Sequence, residues 1–262
     1  MKELTTSSHL YIQETMQQIN TLVKVNDYKE VQEITELNLK NKNIATLGNE
    51  FIQFISWHHL LANYNLKEIT YDQCIEGLEQ LIGDNDNYQL KQSFQDLKIK
   101  NVIGNILTQH KQYEKATRYY QDILSKDIKM EQYYKLKLKV YFNLSKLYFL
   151  QCDYQHAYEI AKDGIYSSIK NEDMSVLASL YVQAGQALSM IVHKDEHDRV
   201  LDYYNKAIQL YTILNLGWYV DFVRQELIPL LEKKAAENDI DPTLSVSNKK
   251  KKRRKIKSIF TG

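Results

Sequence analysis

The sequence predicts an all-α protein, a right-handed solenoid of about five helix hairpins closed by a C-terminal capping helix. Three observations point there. Turn formers are scarce: 262 residues hold only 8 Gly and 2 Pro, whereas sandwiches and barrels need a turn signal about every 8–12 residues. An aromatic-x-x-small pattern recurs along the chain at similar spacing. The composition also holds 20 Tyr against 7 Phe. That balance suits helices with partly wet contact surfaces, because a tyrosine ring packs while its hydroxyl reaches a polar partner.

The first pattern is Tyr28-Lys29-Glu30-Val31. It recurs as Tyr71-Asp72-Gln73-Cys74, Tyr113-Glu114-Lys115-Ala116, Tyr154-Gln155-His156-Ala157 and Tyr204-Asn205-Lys206-Ala207. The tyrosines lie 43, 42, 41 and 50 residues apart. Each is expected to stand just past a loop and open a helix. In the third unit the apolar positions are Tyr113, Ala116, Tyr120, Ile123 and Leu124; in the fourth they are Tyr154, Ala157, Ala161 and Ile165. Both sets have helical spacing. Upstream lies a second helical stretch with a small-x-x-large signature: Gly104 before Leu107, Ser145 before Tyr148, Gly185 before Leu188. The small residue lets two backbones approach and the large one fills the space between them. One hairpin cannot bury its apolar face alone, so neighbours must stack.

After the last repeat, a helix over roughly residues 218–234 is expected to cap the stack. Pro229 stands inside its apolar pattern of Phe222, Leu227, Ile228 and Leu231 and should kink it. Asn238-Asp239-Ile240-Asp241-Pro242 is a stop signal. Residues 1–234 therefore read as one repeat domain, and residues 235–262 as a polar, then basic, tail without a fixed fold. The tail contains KKKKRRKIK at 249–257. Without its eight basic residues the chain carries 26 basic against 33 acidic side chains, so a net charge of +1 conceals an acidic body. A run of this kind binds polyanions without choosing a sequence, and no specific nucleic-acid binding is expected of the chain.

Hydrophobic residues at 44% and charged residues at 26% are ordinary for a globular protein. They exclude disorder throughout. No apolar run approaches the roughly 18 residues of a membrane span, and the opening MKELTTSSHLYIQ lacks the apolar core of a signal peptide. Two cysteines, Cys74 and Cys152, make neither a disulfide framework nor a zinc site. The expectation is a cytoplasmic protein with reduced thiols, Cys74 in a small core position and Cys152 in a turn. His193 and His197 have chelating spacing but fall in an apparent charged loop between Leu188 and Tyr204, and His58-His59 point to different helix faces. No phosphate loop or nucleophile motif occurs. No catalytic residue, metal or cofactor is expected.

The repeated positions resemble the tetratricopeptide repeat, the fourth unit best, with Ser145, Tyr148, Tyr154, Ala157 and Gly164. The period is longer than the usual ~34 residues. A closer likeness lies in QFISWHHLLANY (53–64), KNVIGNIL (100–107), YFNLSKL (141–147), LYVQAGQA (180–187) and ILNLGWYVDFV (213–223). These segments resemble the PlcR-type regulatory domain of the Rap, NprR, PlcR and PrgX family, peptide-sensing cytoplasmic regulators of Gram-positive bacteria. The likeness runs to about residue 230. It implies a short signalling peptide held in the concave groove of the repeats, a homodimer or a related regulator as partner, and a peptide-dependent change in the grip on DNA. Family members that regulate transcription carry an N-terminal helix-turn-helix domain. Nothing before Tyr11 has room for such a fold, so the expectation is the sensor without the effector.

The first helix of each hairpin should line the groove. Residues rotated off its core face are Ser56, His59 and Asn63; Lys98, Asn101 and Asn105; Lys139, Asn143 and Lys146; and Ser179, Gln183 and Gln186. An amide side chain both donates and accepts, so it pairs with a peptide bond in both senses, and an extended ligand exposes such groups along its length. Lys98, Lys139 and Lys146 favour an acidic side chain or a C-terminal carboxylate. The resemblance places Asn101, Asn143 and Gln183 where the family holds the peptide backbone, and Tyr219 on a closing helix that touches the ligand. The expected function is a non-enzymatic, quorum-sensing type of peptide sensor. A general protein-binding scaffold is the alternative. A phosphatase-like member of the same group would need an added N-terminal helical bundle, and none is visible.

Overall fold

The computed structural model describes residues 6–82, 94–193 and 196–238. Every regular element among them is helical, as the sequence predicts: α1 (Thr6–Lys24), α2 (Tyr28–Leu39), α3 (Asn49–Asn65), α4 (Tyr71–Ile82), α5 (Phe94–Gln109), α6 (Tyr113–Leu124), α7 (Glu131–Leu150), α8 (Tyr154–Lys170), α9 (Leu177–Ser189), α10 (His197–Ile213), α11 (Gly217–Phe222) and α12 (Ile228–Asn238). A 3-10 turn, Ile44–Leu47, precedes α3, and a π-turn, Val223–Leu227, joins α11 to α12. The chain forms two compact units, up to Ile106 and from Leu107, with the boundary inside α5. The basic run at 249–257 and the rest of the tail lie outside the described residues, as do two residues of the His193–His197 stretch.

Four of the five repeat tyrosines open their helices, as expected: Tyr28, Tyr71, Tyr113 and Tyr154. The fifth does not. Helix α10 starts at His197, seven residues before Tyr204. His197-Asp198-Arg199 reads as loop because it is polar, yet it forms the solvent-facing first turn of a helix, where Asp198 also suits the N-terminal dipole. With His197 as the start, the helices recur every 43, 42, 41 and 43 residues. The third residue after each start is Val31, Cys74, Ala116, Ala157 or Val200, each at most 1% exposed. The seventh is Thr35, Leu78, Tyr120, Ala161 or Tyr204, each at most 2% exposed. Offsets of three and seven share one helix face. The true repeat is this buried stripe, and Tyr204 belongs to its second layer.

The turns are built almost without glycine. Asn26, Lys111, Cys152 and Asn215 stand two residues before α2, α6, α8 and α11 with φ between 55° and 67°. At each, the next residue's N–H reaches back to the preceding helix: Asp27 to the carbonyl of Leu22 (3.0 Å), Gln112 to Leu107 (2.8 Å), Asp153 to Tyr148 (2.9 Å) and Leu216 to Tyr211 (2.9 Å). This six-to-one bond satisfies a helix-end carbonyl that would otherwise be orphaned. Side chains then start the next helix. Asp27 accepts from the N–H of Glu30 and Asp153 from that of His156. Thr70 and Gln73 cap α4 reciprocally, side chain to backbone, at 3.3 and 2.8 Å.

In the second unit the small residues mark close helix approaches. Ser145 on α7 bonds the Ala157 carbonyl on α8. A Cβ at Gly185 would stand 2.6 Å from the Tyr204 ring, and one at Gly164 would stand 2.8 Å from Leu180 and 2.9 Å from the Tyr141 Cβ. Ala157 packs with Phe149 and Ala187, with Tyr148 against that cluster. Pro229 acts one step earlier than a simple kink. Its ring cannot donate to Gln225 and crowds that carbonyl, and the chain widens just before it: the N–H of Ile228 bonds the carbonyl of Val223, five residues back.

In the first unit Cys74 is buried, its Sγ 3.7 Å from the Leu60 carbonyl, and burial pushes its thiol up to about 12. That is a packing role. Cys152, in the second unit, is exposed in its turn. Among the described residues no helix is long and apolar enough to cross a membrane, and no group of three potential ligands is placed to hold a metal ion.

Candidate functional site

In the first unit Lys98, Asn101 and Asn105 occupy one face of α5 and are all half-buried. The Lys98 ammonium lies 4.8 Å from the centre of the Phe94 ring. The α3 residues assigned to the same kind of face do something else. His59 Nε2 lies 3.2 Å from Asn63 Nδ2, and its Nδ1 lies 3.0 Å from Thr35 Oγ1 on α2. Asn63 Oδ1 accepts from Gln32 Nε2 at 2.8 Å, and Gln32 Nε2 also donates to Glu68 at 2.5 Å. An amide NH₂ only donates, so His59 Nε2 accepts and its proton sits on Nδ1. The Thr35 hydroxyl passes the chain on to the Val31 carbonyl. Burial lowers the His59 pKa, with Glu36 and Glu68 opposing. Thus His59 and Asn63 are committed to α2 rather than presented to a groove.

Beside them, His58 is 1% exposed. Its ring packs on Trp57 and Phe54, with centroids at 3.6 and 4.0 Å, and Nδ1–H donates to the Phe54 carbonyl at 2.8 Å. Burial pushes its pKa down to about 4; the bond to Phe54 opposes this and Lys98 adds to it.

In the second unit Lys139, Asn143 and Lys146 follow one face of α7. Lys139 is exposed and the other two are half-buried, and burial lowers the Lys146 pKa. Helix α7 packs against α9, where Ser179, Gln183 and Gln186 again share a face. These glutamines are not on an open surface. Gln183 is 1% and Gln186 6% exposed. The Nε2 of Gln183 and the Oε1 of Gln186 have no hydrogen-bond partner. An orphaned buried polar atom costs about 1–3 kcal/mol, and native proteins hold few of them. Here one is a donor and the other an acceptor, three residues apart on one helix, the complement of a peptide unit's C=O and N–H.

Tyr219 on α11 is 43% exposed and connects to the same face. Its ring stacks on Tyr211 (5.0 Å, 22°), and the Tyr211 hydroxyl shares a 3.1 Å hydrogen bond with Ser179. The sequence carries no local signal for this link, because residues 179, 211 and 219 meet only through packing. An open cleft of about 670 Å³ among α8, α9 and α10 is walled by Tyr158, Tyr166, Tyr181 and Tyr203. None of the amide-face residues lines it.

These helices define a tetratricopeptide-like repeat protein with amide-bearing faces on α5, α7 and α9. The chain belongs to the RNPP family: the model of the RNPP family C-terminal domain matches residues 16–232. Among solved structures it is similar to Bacillus thuringiensis PlcR in complex with the peptide PapR7 and DNA, at 26% identity and a TM-score of 0.66, covering 81% of this chain and 74% of that one. It is also similar to PlcR in its apo form, at 25% identity and a TM-score of 0.72, covering 84% and 79%. BtubC from P. vanneervenii shares the fold, at 14% identity and a TM-score of 0.57, covering 80% and 90%. A search of curated proteins finds no match.

Proposed function

We propose that the chain is a cytoplasmic peptide sensor of quorum-sensing type, which regulates transcription through a peptide-dependent change in its own conformation or in a dimer with itself or a related regulator. The observation that carries this reading is the buried, unpartnered pair of Gln183 Nε2 and Gln186 Oε1. Both atoms are closed to solvent without a peptide, so a peptide backbone completes them only once the packing over α9 opens, and that opening is the conformational change this reading requires. Membership of the RNPP family and the likeness to a peptide-bound PlcR support it. In the second unit Asn143, Gln183 and Tyr219 would meet the peptide, with Lys139 and Lys146 favouring acidic groups. In the first unit Lys98, Asn101 and Asn105 carry the same chemistry on α5. Calorimetry of the intact chain with a pool of short acidic synthetic peptides tests the proposal. Saturable binding by the parent that weakens in Gln183→Ala supports it; no saturable binding by any peptide of the pool sinks it and leaves the protein-binding scaffold.

A further inference from the structure

Tyr211 touches more of the closing segment than any sequence pattern suggests. Its side chain is 5% exposed at the end of α10. Its hydroxyl shares a bond with Ser179 on the amide face of α9, and its ring stacks on Tyr219. Its backbone carbonyl accepts the six-to-one bond from Leu216 that turns the chain into α11. Helix α11 runs without a break through the π-turn into α12, so Tyr219 stands in the first turn of a longer helical segment, where the leading N–H groups lack partners four residues back. From Tyr219 the aromatic contacts continue. Trp218 meets it edge-on at 5.0 Å and 88°, then stacks on Phe222 at 5.9 Å and 8°. Phe222 adjoins the π-turn, a helical defect common at functional positions. Trp218 itself is 72% exposed, so its ring is held mainly by these two aromatic neighbours.

We infer that Tyr211 is the positioning residue of the closing segment. Tied to Ser179, it sets the Tyr219 ring beside the amide face of α9 and couples events on that face to the indole of Trp218. The inference rests on the peptide-binding reading for its ligand but not for its geometry. Tyr211→Phe keeps the ring and removes only the tether. Ser179→Ala removes the tether from the other side, and Ser179→Thr retains a hydroxyl.

The chain has two tryptophans, so 5-fluorotryptophan labelling gives two fluorine resonances, assignable with Trp218→Phe. Trp57, in the first unit, is the internal reference. Without peptide, Tyr211→Phe and Ser179→Ala should each shift or broaden the Trp218 resonance and leave that of Trp57 in place, while Ser179→Thr should resemble the parent. With the pool of short acidic peptides, the parent's Trp218 resonance should move on binding. Both tether-less variants should bind about 3- to 10-fold more weakly, as if the Tyr219 ring were lost from the site, with unchanged helical circular dichroism and only the small drop in melting temperature that loss of one hydrogen bond brings. A Trp218 resonance indifferent to both variants in the peptide-free protein overturns the positioning role. If the peptide-free shifts appear but no peptide binds the parent, the positioning of Tyr219 stands and its coupling to a peptide falls.

Discussion

The Ser145 hydroxyl donates to the backbone carbonyl of Ala157 at 2.6 Å, from the C-terminal half of α7 to the first turn of α8. The bond requires the two backbones to approach closely, and Ala157 permits this because its methyl group fills the space between Phe149 and Ala187. Ala157→Leu should therefore overpack the crossing and destabilise the second unit by about 1–3 kcal/mol. A thermal melt reads the effect directly, and an unchanged melting temperature would mean that the crossing can open to admit a larger side chain.

Cys152 pays a conformational penalty in its turn, with φ at 67°. Its side chain is exposed, and the bonds that need this geometry are backbone bonds, Cys152 N–H to Phe149 and Asp153 N–H to Tyr148. Cys152→Gly should keep them and stabilise the protein by about 0.5–1 kcal/mol, the left-handed strain being partly offset by the freer unfolded chain. Cys152→Val should destabilise it, since β-branching resists positive φ. Urea midpoints of the two variants should fall on opposite sides of the parent's.

Stability should depend on pH through His58. Its folded pKa is near 4 against about 6.5 unfolded. Between those values the unfolded chain binds the additional proton, so stability is fully present above about pH 6.5 and is lost as pH falls towards 4. The loss is on the order of 3 kcal/mol. His59 shifts in the same direction. The difference in unfolding free energy between the parent and His58→Phe, measured from pH 7 to pH 4, should carry this slope. A pH-independent difference would show that His58 titrates normally.

Gln183 should trade stability against binding. Gln183→Leu removes a buried donor that lacks a partner and keeps most of the volume, so the fold should gain up to about 1 kcal/mol. Peptide affinity should fall at the same time. A variant that melts earlier would show that the amide has a structural partner.

Asn143 should behave differently, being half-buried on α7. Asn143→Ala should lower affinity for a peptide of the acidic pool by about 1–3 kcal/mol, roughly 5- to 150-fold, and lower stability by less than about 1 kcal/mol. Calorimetry beside a melt separates the two effects. Parental affinity in the variant would remove Asn143 from the peptide contacts.

Local propensity and periodicity account for the helical class and most of the register. Few glycines and prolines, and four tyrosines that each open a helix, are local facts, and local propensity and periodicity act on them directly. Lys98, Asn101 and Asn105, and Lys139, Asn143 and Lys146, could be grouped for the same reason: residues three and four apart share a helix face whatever surrounds them. The rest comes from packing between helices. The start of α10 at His197 was hidden because its first turn is polar, and only the burial of Val200 shows that the repeat continues there. His59 and Asn63 look like groove residues by rotation, yet hydrogen bonds across to Thr35 and Gln32 on α2 claim them. Gln183 and Gln186 look solvated, yet packing around α9 buries them with one polar atom each unpaired. The contact of Ser179, Tyr211 and Tyr219 joins three helices, and no spacing along the chain encodes a distance between helices. Periodicity fixes the direction of a side chain around its own axis; what it meets there is set by the neighbouring helix.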